Sequence, residues 1–457
     1  MHFSVSQVLF LTVLSSACGV SIGFDIGGFA SSLLFISEQF KMTTIQKEGL
    51  VATAQLVAIL GALTTGKLSD NFGRRIAILS SSVYFMSGAL LMAFSPNLTS
   101  LYISRVFTGF GIGSCFVVVP LYIGEISPPK YRGTFVTIFE VIINIGLLLG
   151  YCVSLTVLSY LEDQQRNWRW ITGSGALIGI ISLVFLCYIP ESPRWLIAKN
   201  RISEAKSILK KLFPNSEVQA EVDKITTLLL VQQSSHWSDI LCPKPSVGRM
   251  LLMGLGVHFF QQMAGMEIIG FYSPTILAKA NITDTHTIVL AMIGMTLVKI
   301  LFIFVALVLM DRVGRKILLL VGTAGLCVSL CSLGLSFQYP LSVAWPIISQ
   351  YLFVAFFSIG YGPVSLVLSS ELYPLRIRGR ASSTGISLNR LIGGIIVMSF
   401  LSYTEVATVP GGFYTLSIIS FLAIFFIYFF VIETKGKSLE DIEQYFITQY
   451  ESNIQFH

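Results

Sequence analysis

Apolar and polar residues alternate along this chain on a long wavelength. Apolar runs lie near 8–34, 49–69, 76–95, 100–124, 134–158 and 170–189, and six more follow a polar stretch, near 250–278, 287–310, 317–337, 343–370, 382–402 and 411–432. A helix of about 20 apolar residues spans the ~30 Å hydrocarbon core of a bilayer. Backbone groups find no water there, so such a run satisfies them internally, as a helix. The pattern predicts an all-α integral membrane protein with twelve transmembrane helices.

The polar segments between the runs repeat. "SDNFGRR" (69–75) and "MDRVGRK" (310–316) follow the second and eighth runs, "GEISPPKYRGT" (124–134) and "SELYPLRIRGR" (370–380) the fourth and tenth, and "PESPRWL" (190–196) and "IETKGKSL" (432–439) the sixth and twelfth. Asp70 and Asp311, Glu125 and Glu371, and Glu191 and Glu433 are each separated by about 240 residues. The chain therefore divides into two six-helix halves, 1–189 and 250–432, in parallel repeat. A cytoplasmic linker, 190–249, joins them and a cytoplasmic tail, 433–457, follows; "ISEAKSILKKLF" in the linker has helical spacing. Parallel repeats with a site at their interface near the midplane are the construction of a rocking transporter.

Composition fits: 54% of the 457 residues are hydrophobic and 12% charged, against roughly 25% charged in soluble domains. A soluble enzyme is excluded, and no nucleophile–base pair, phosphate loop or metal cluster appears in the polar segments. No cofactor and no metal are expected, and the seven cysteines imply no disulfide framework. The formal charge of +6 does not indicate nucleic acid, because the bases are sorted by side of the membrane. One alternate set of loops holds twenty-two Lys and Arg, while the other holds Lys41, Lys47, Arg166, Arg169 and Lys279. By the positive-inside rule the first set, with both termini, is cytoplasmic. The sequons at Asn97 and Asn281 then fall outside. The polar stretch before the first run is too short for a cleaved leader, so that helix is expected to be retained.

Six ionisable residues lie inside the runs: Asp25, Arg105, Glu140, Glu267, Lys299 and Arg390. A charge at the bilayer centre costs about 2.5–3.5 kcal/mol on insertion scales, and such residues usually face a cavity and mark a pathway. Any one of them alone reads equally well as a structural ion pair. On the cytoplasmic side each half carries acids (Asp70, Glu125, Glu191; Asp311, Glu371, Glu433) and bases (Arg74, Arg132, Arg194; Arg315, Arg378, Arg380). Paired across helix ends they form a gate whose exposed ion pairs, at about 0–1 kcal/mol each, can also open.

With these motifs in this order, "GRR", "PESPRWL", "QQMAG", "DRVGRK" and "ETKGKSLE", the sequence resembles the sugar porter family of the major facilitator superfamily over nearly its whole length. "GFDIGG", "FEVIINIGLLLGY", "TLVKILFIFVALVLMDRVGRK" and "SLNR" are closest to plant-type polyol and monosaccharide proton symporters. The resemblance implies the major facilitator fold and proton-coupled uptake of a small polyhydroxylated solute by alternating access. It also implies a plasma-membrane location, a lipid bilayer as the only other partner, and function as a monomer. A facilitated-diffusion uniporter is the alternative, and a non-transporting sugar sensor a third reading. Leu366 departs from the family, standing where sugar porters usually carry a tryptophan that stacks on the sugar, and Ile432 replaces a proline.

Carried over position by position, the resemblance makes Asp25 and Arg105 the proton-coupling pair. Substrate-binding positions are Glu140, Asn144 one helical turn on, Gln261, Gln262, Glu267, Lys299 and Asn389, with Tyr272 as an outer gate aromatic beside an expected helix break at Pro274. Amides suit the task because each both donates and accepts, as hydroxyls do. Glu267 and Lys299 are expected to pair across the seventh and eighth helices. Glu140 is one conceivable partner for Arg390, which nothing in the sequence selects.

Overall fold

The computed structural model describes residues 5–127, 132–161, 164–212, 218–233, 238–282, 284–339, 342–374, 377–435, 442 and 444–446. The described residues form helices α1 to α19 joined by short turns, with no strand among them. Among the described residues, eleven helical stretches are long and apolar enough to cross a membrane.

The first expected run is divided. α1 (Val5–Ser15) ends at Ser16 and α2 (Ala17–Gln39) continues beyond it. The Ser15 hydroxyl donates to the Thr12 carbonyl and the Cys18 thiol to the Ser15 carbonyl, so side chains compete with the backbone where the helix is interrupted. Then come α3 (Thr44–Phe72), α4 (Arg74–Ala93), α5 (Leu98–Ile126), α6 (Arg132–Tyr160) and α7 (Gln164–Leu186). α3 and α5 open with capping boxes, Thr43 with Gln46 and Asn97 with Ser100, which satisfy otherwise orphaned N–H groups.

The seventh run is α12 (Pro245–Met263) and α13 (Met266–Lys279) rather than one helix. The break expected at Pro274 lies instead at Gly265, whose φ of 88° is the left-handed region that only glycine adopts cheaply. α13 continues through Pro274. After it come α14 (Thr285–Val313), α15 (Arg315–Gln338), α16 (Ala344–Ile359), α17 (Tyr361–Leu372), α18 (Arg378–Ala407) and α19 (Val409–Phe430). α16 and α17 together make one expected run, interrupted at Gly360.

α2 packs on α6 and α7, α4 on α5 and α7, and α3 on α5; later in the chain α15 packs on α16 and α19, α14 on α16, and α12 on α18. Small residues allow the closest approaches, as expected where helices meet in lipid. A Cβ at Gly23 would lie 1.8 Å from the Ile143 carbonyl oxygen, and one at Gly146 would lie 2.2 Å from that of Val20. Early helices meet late ones chiefly where α3 packs on α18, α6 on α14, and α2 on α13.

Between α7 and α12 run α8 (Pro193–Ala198), α9 (Ile202–Leu212), α10 (Val218–Gln233) and α11 (Ser238–Leu241). α9 is the helix expected from "ISEAKSILKKLF". Its Ala205 and Leu209 pack with Trp195 and Leu196 of α8 and Val222 and Ile225 of α10 in a small core of their own.

Candidate functional site

Gln261 and Gln262 lie in the last turn of α12, just before the chain turns at Gly265, and Asn389 lies on α18. Gln262 Nε2 donates to Asn389 Oδ1 at 2.7 Å, Asn389 Nδ2 donates to Gln261 Oε1 at 3.0 Å, and Gln261 Nε2 reaches the Tyr361 carbonyl at 3.2 Å. The three amides thus form one chain of hydrogen bonds. Asn389 Nδ2 also donates to the His258 carbonyl, and the His258 ring contacts the Ser369 hydroxyl at 2.9 Å.

Arg390 extends this chain. Its Nη2 donates to Asn389 Oδ1 at 2.8 Å, its Nη1 to Glu267 Oε1 at 3.2 Å and to Gln55 Oε1 at 3.2 Å, while Gln55 Nε2 donates to Glu267 Oε2 at 3.1 Å. The guanidinium also lies over the Phe116 ring, 4.8 Å from its centroid, a cation–π distance. Glu267 therefore pairs with Arg390, and the expected Glu267–Lys299 pair does not form. A planar guanidinium presents five N–H donors in a rigid fork and here bonds Asn389, Glu267 and Gln55 at once. Lys299 on α14 stands within the electrostatic reach of Glu140 and Glu267, with no ion pair to either.

On α6, Asn144 Nδ2 donates to the Glu140 carbonyl at 2.8 Å and to its Oε1 at 3.4 Å, as their spacing of one turn allows. Asn144 Oδ1 and Gln262 Oε1 are buried acceptors with no hydrogen-bond partner among the described residues. Tyr272 is buried and its hydroxyl donates to the Val397 carbonyl at 2.8 Å, which ties α13 to α18. The Leu366 side chain lies outside the described residues.

Asp25 and Arg105 face each other between α2 and α5. Arg105 Nη1 lies 2.8 Å from both Asp25 oxygens, and the guanidinium carbon sits 4.1 Å from the centre of the Phe29 ring. The Arg105 side chain is fully buried while Asp25 is 17% exposed. Asp25 borders a cavity lined also by Ser21, Thr108 and Thr172, with about 20 Å³ of water-accessible space, room for roughly one water. Arg105 Nε and Nη2 are buried without partners among the described residues, so this pair is only partly satisfied.

Two further clusters sit at helix ends, around the starts of α4 and α15, and they are copies of each other. Arg74 forks onto Glu125, with Nη2–Oε1 at 2.9 Å and Nε–Oε2 at 3.0 Å, and meets Asp70 at 3.3 Å. Glu191 accepts from the Arg74 backbone N–H at 2.8 Å, at the N-terminus of α4, where the helix dipole favours a carboxylate. In the second copy Arg315 Nη2 meets Glu371 Oε1 at 2.8 Å, and Glu433 accepts from the Arg315 and Lys316 N–H groups at 2.9 and 3.0 Å. Even the hydroxyls match, for Ser192 donates to Glu125 where Thr434 donates to Glu371. Arg74 and Glu125 thus tie α4 to α5, and Arg315 and Glu371 tie α15 to α17. Arg194 on α8 is not drawn in, its Nε having no partner among the described residues. The side chains of Arg132, Asp311 and Arg378 lie outside the described residues.

The N-terminal end of α3 and the C-terminal end of α18 are also joined. Glu48, 1% exposed, accepts from the Ser402 N–H at 2.8 Å and from its hydroxyl at 2.5 Å, and Thr44 donates to Glu405. Sequence reasoning missed both Glu48 and Gln55. The only signal for Gln55 was an amide inside the run 49–69; Glu48, one residue before that run, reads as loop.

Comparison with known proteins places this geometry in context. A family model described as "Sugar (and other) transporter" matches residues 11–446. "Probable polyol transporter 4" of Arabidopsis thaliana is 38% identical over 448 residues, covering 96% of this chain and 85% of that protein. "Glucose transporter GlcP" of Staphylococcus epidermidis is 34% identical, covering 94% of this chain and 95% of the relative. The fold is similar to that of the proton:xylose symporter XylE bound to 6-bromo-6-deoxy-D-glucose, with a TM-score of 0.84, 24% identity, and coverage of 96% of this chain and 99% of that one. An inward-open structure of XylE from E. coli matches with a TM-score of 0.82.

Proposed function

Because the chain belongs to the sugar (and other) transporter family, as a multi-pass membrane transporter and not an enzyme, we propose that it carries a polyol or monosaccharide across the plasma membrane by alternating access, in symport with a proton. The observation that carries the solute class is the central amide chain of Gln261, Gln262 and Asn389, lying beside a carboxylate–guanidinium pair. Buried acceptors without donors are costly, about 1–3 kcal/mol each. A hydroxyl donor supplied by a bound solute would relieve Asn144 Oδ1 and Gln262 Oε1.

In this reading Glu140, Asn144, Gln261, Gln262, Glu267, Lys299 and Asn389 contact the solute, and Tyr272 steadies α13 against α18 beside it. Asp25 takes up the proton. Once neutral it no longer holds the Arg105 guanidinium, so protonation and the position of α2 against α5 become linked. Residues 1–189 and 250–432 are the two bodies that rock, the linker 190–249 and the tail 433–457 lie in the cytoplasm with both termini, and a single chain suffices. Asp70, Arg74, Glu125, Arg132 and Glu191 form one half of the cytoplasmic gate; Asp311, Arg315, Glu371, Arg378 and Glu433 form the other, with Arg194 beside them.

The test is uptake of radiolabelled sorbitol and glucose in cells lacking their own carriers, with and without a protonophore. Accumulation that collapses with the protonophore is expected. Equilibration indifferent to the protonophore would replace symport with facilitated diffusion. Failure to move any polyol or hexose, with the protein at the membrane, would overturn the transport reading.

A further inference from the structure

We propose that the Gln55 amide is a built-in occupant of the solute site, held by Glu267 and Arg390 as two neighbouring hydroxyls of a solute would be, and displaced when the solute binds. The inference rests on the polyhydroxylated-solute reading above and adds to it a competitor carried by the protein itself.

The geometry is a closed ring. Gln55 Nε2 donates to Glu267 Oε2 at 3.1 Å, Gln55 Oε1 accepts from Arg390 Nη1 at 3.2 Å, and the same Nη1 meets Glu267 Oε1 at 3.2 Å. An amide presents a donor and an acceptor side by side on one carbon, and a pair of vicinal hydroxyls on adjacent carbons can present the same set. Glu267 would then accept from one hydroxyl and Arg390 donate to the other. A solute lacking adjacent hydroxyls could replace only half of what Gln55 supplies.

The ring also joins the two six-helix sets. Glu267 and Arg390 come from α13 and α18, whereas Gln55 comes from α3 and the Phe116 ring under the guanidinium from α5. α3 reaches in because Gly394, one turn beyond Arg390, has no side chain; a Cβ there would lie 2.6 Å from Leu56 Cδ2 and 3.6 Å from Gln55 Cβ. Gln55 is 2% exposed, while Glu267 and Arg390 keep 14% and 13% of their side-chain surface open. The pair thus remains approachable although its hydrogen bonds are taken. Displacement of Gln55 by a solute removes a tie between α3 and α18, so binding and loosening of this seam become one event.

The experiment compares wild type with Gln55→Met, which keeps the length of the side chain and removes its hydrogen bonds. A competitor occupying nine-tenths of the sites raises the apparent dissociation constant about tenfold. Gln55→Met should therefore lower the KM for radiolabelled sorbitol or glucose by about five- to tenfold, with less change in maximal rate. An unchanged or raised KM would overturn the proposal, a raised one meaning that Gln55 binds the solute directly. Thermal unfolding of purified protein without solute gives an independent arm. Gln55→Met and Arg390→Gln should each lower Tm, and the double variant should lose clearly less than the sum. Additive losses would overturn the clasp even if wild type carried no polyol or hexose, an outcome that would by itself remove only the transport reading.

Discussion

Arg390 of α18 meets Glu267 of α13 at 3.2 Å, and both side chains are largely buried, at 13% and 14% exposure. Breaking a buried pair from one side leaves the other charge uncompensated and costs about 3–5 kcal/mol, an upper range here because Gln55 and Asn389 would still bond the survivor. Glu267→Gln and Arg390→Gln should each depress uptake and Tm, and the double variant should recover part of both. A coupling of about 0.5–3 kcal/mol in the thermal cycle is expected. If the two losses simply add, the contact is not energetically coupled.

The Asp25–Arg105 pair calls for a different readout. Arg105 is fully buried and bonded to both Asp25 oxygens, so Asp25→Asn keeps an acceptor near the guanidinium and removes only the proton-accepting charge. In proteoliposomes carrying this variant, accumulation against a gradient should be lost while exchange of labelled for unlabelled solute persists. Accumulation at the wild-type level would exclude Asp25 from coupling.

What was legible in the sequence follows from what helical spacing determines. Asp25, Gln262 and Asn389 could be placed on helices because a run's length and periodicity fix the helix. The clusters around Arg74 and Arg315 could be anticipated because the repeated motifs carry their acids and bases at fixed offsets. Partners across helices are not fixed in that way. Glu267 had two bases within reach, Lys299 and Arg390, and the choice depends on the turn at Gly265, whose φ of 88° the residue string permits without requiring. Pro274 drew the expected break to the wrong place, because a proline lacks an N–H but its helix can continue where packing holds it. Gln55 and Glu48 escaped for a simpler reason. One polar residue in or beside an apolar run has no period to announce it, and its meaning comes from the facing helix.

Glu48 makes a prediction about the seam between α3 and α18. Its buried carboxylate accepts from the Ser402 N–H and hydroxyl, so Glu48→Ala removes these two bonds between α3 and α18 and leaves the Thr44–Glu405 bond beside them. A hydrogen bond to a charged group contributes about 1.5–3 kcal/mol, enough to shift a two-state equilibrium about tenfold or more toward the outward-open form. A single cysteine introduced at Leu56 should then react faster with a membrane-impermeant maleimide added outside. Equal labelling rates in the presence and absence of Glu48→Ala would show that this contact does not hold the outer side closed.

The two copied helix-end clusters supply the last prediction. Gly73 and Gly314 precede α4 and α15 with φ of 102° and 103° and ψ of 163° and 164°, a conformation essentially confined to glycine. A Cβ on Gly73 would lie 2.1 Å from Glu191 Oε2, and one on Gly314 would lie 2.5 Å from Glu433 Oε2. Gly73→Ala must therefore strain the backbone and unseat the carboxylate that caps α4, and Gly314→Ala must do the same at α15. Strain alone costs about 1–3 kcal/mol. Each variant should lower Tm by a similar amount, and because the two sites share no partner the double variant should lose close to the sum. Adding Glu191→Ala removes the clash but not the strained φ, so it should restore only part of the Gly73→Ala loss. Wild-type Tm in Gly73→Ala alone would mean that neither the strained turn nor the seated carboxylate contributes to stability.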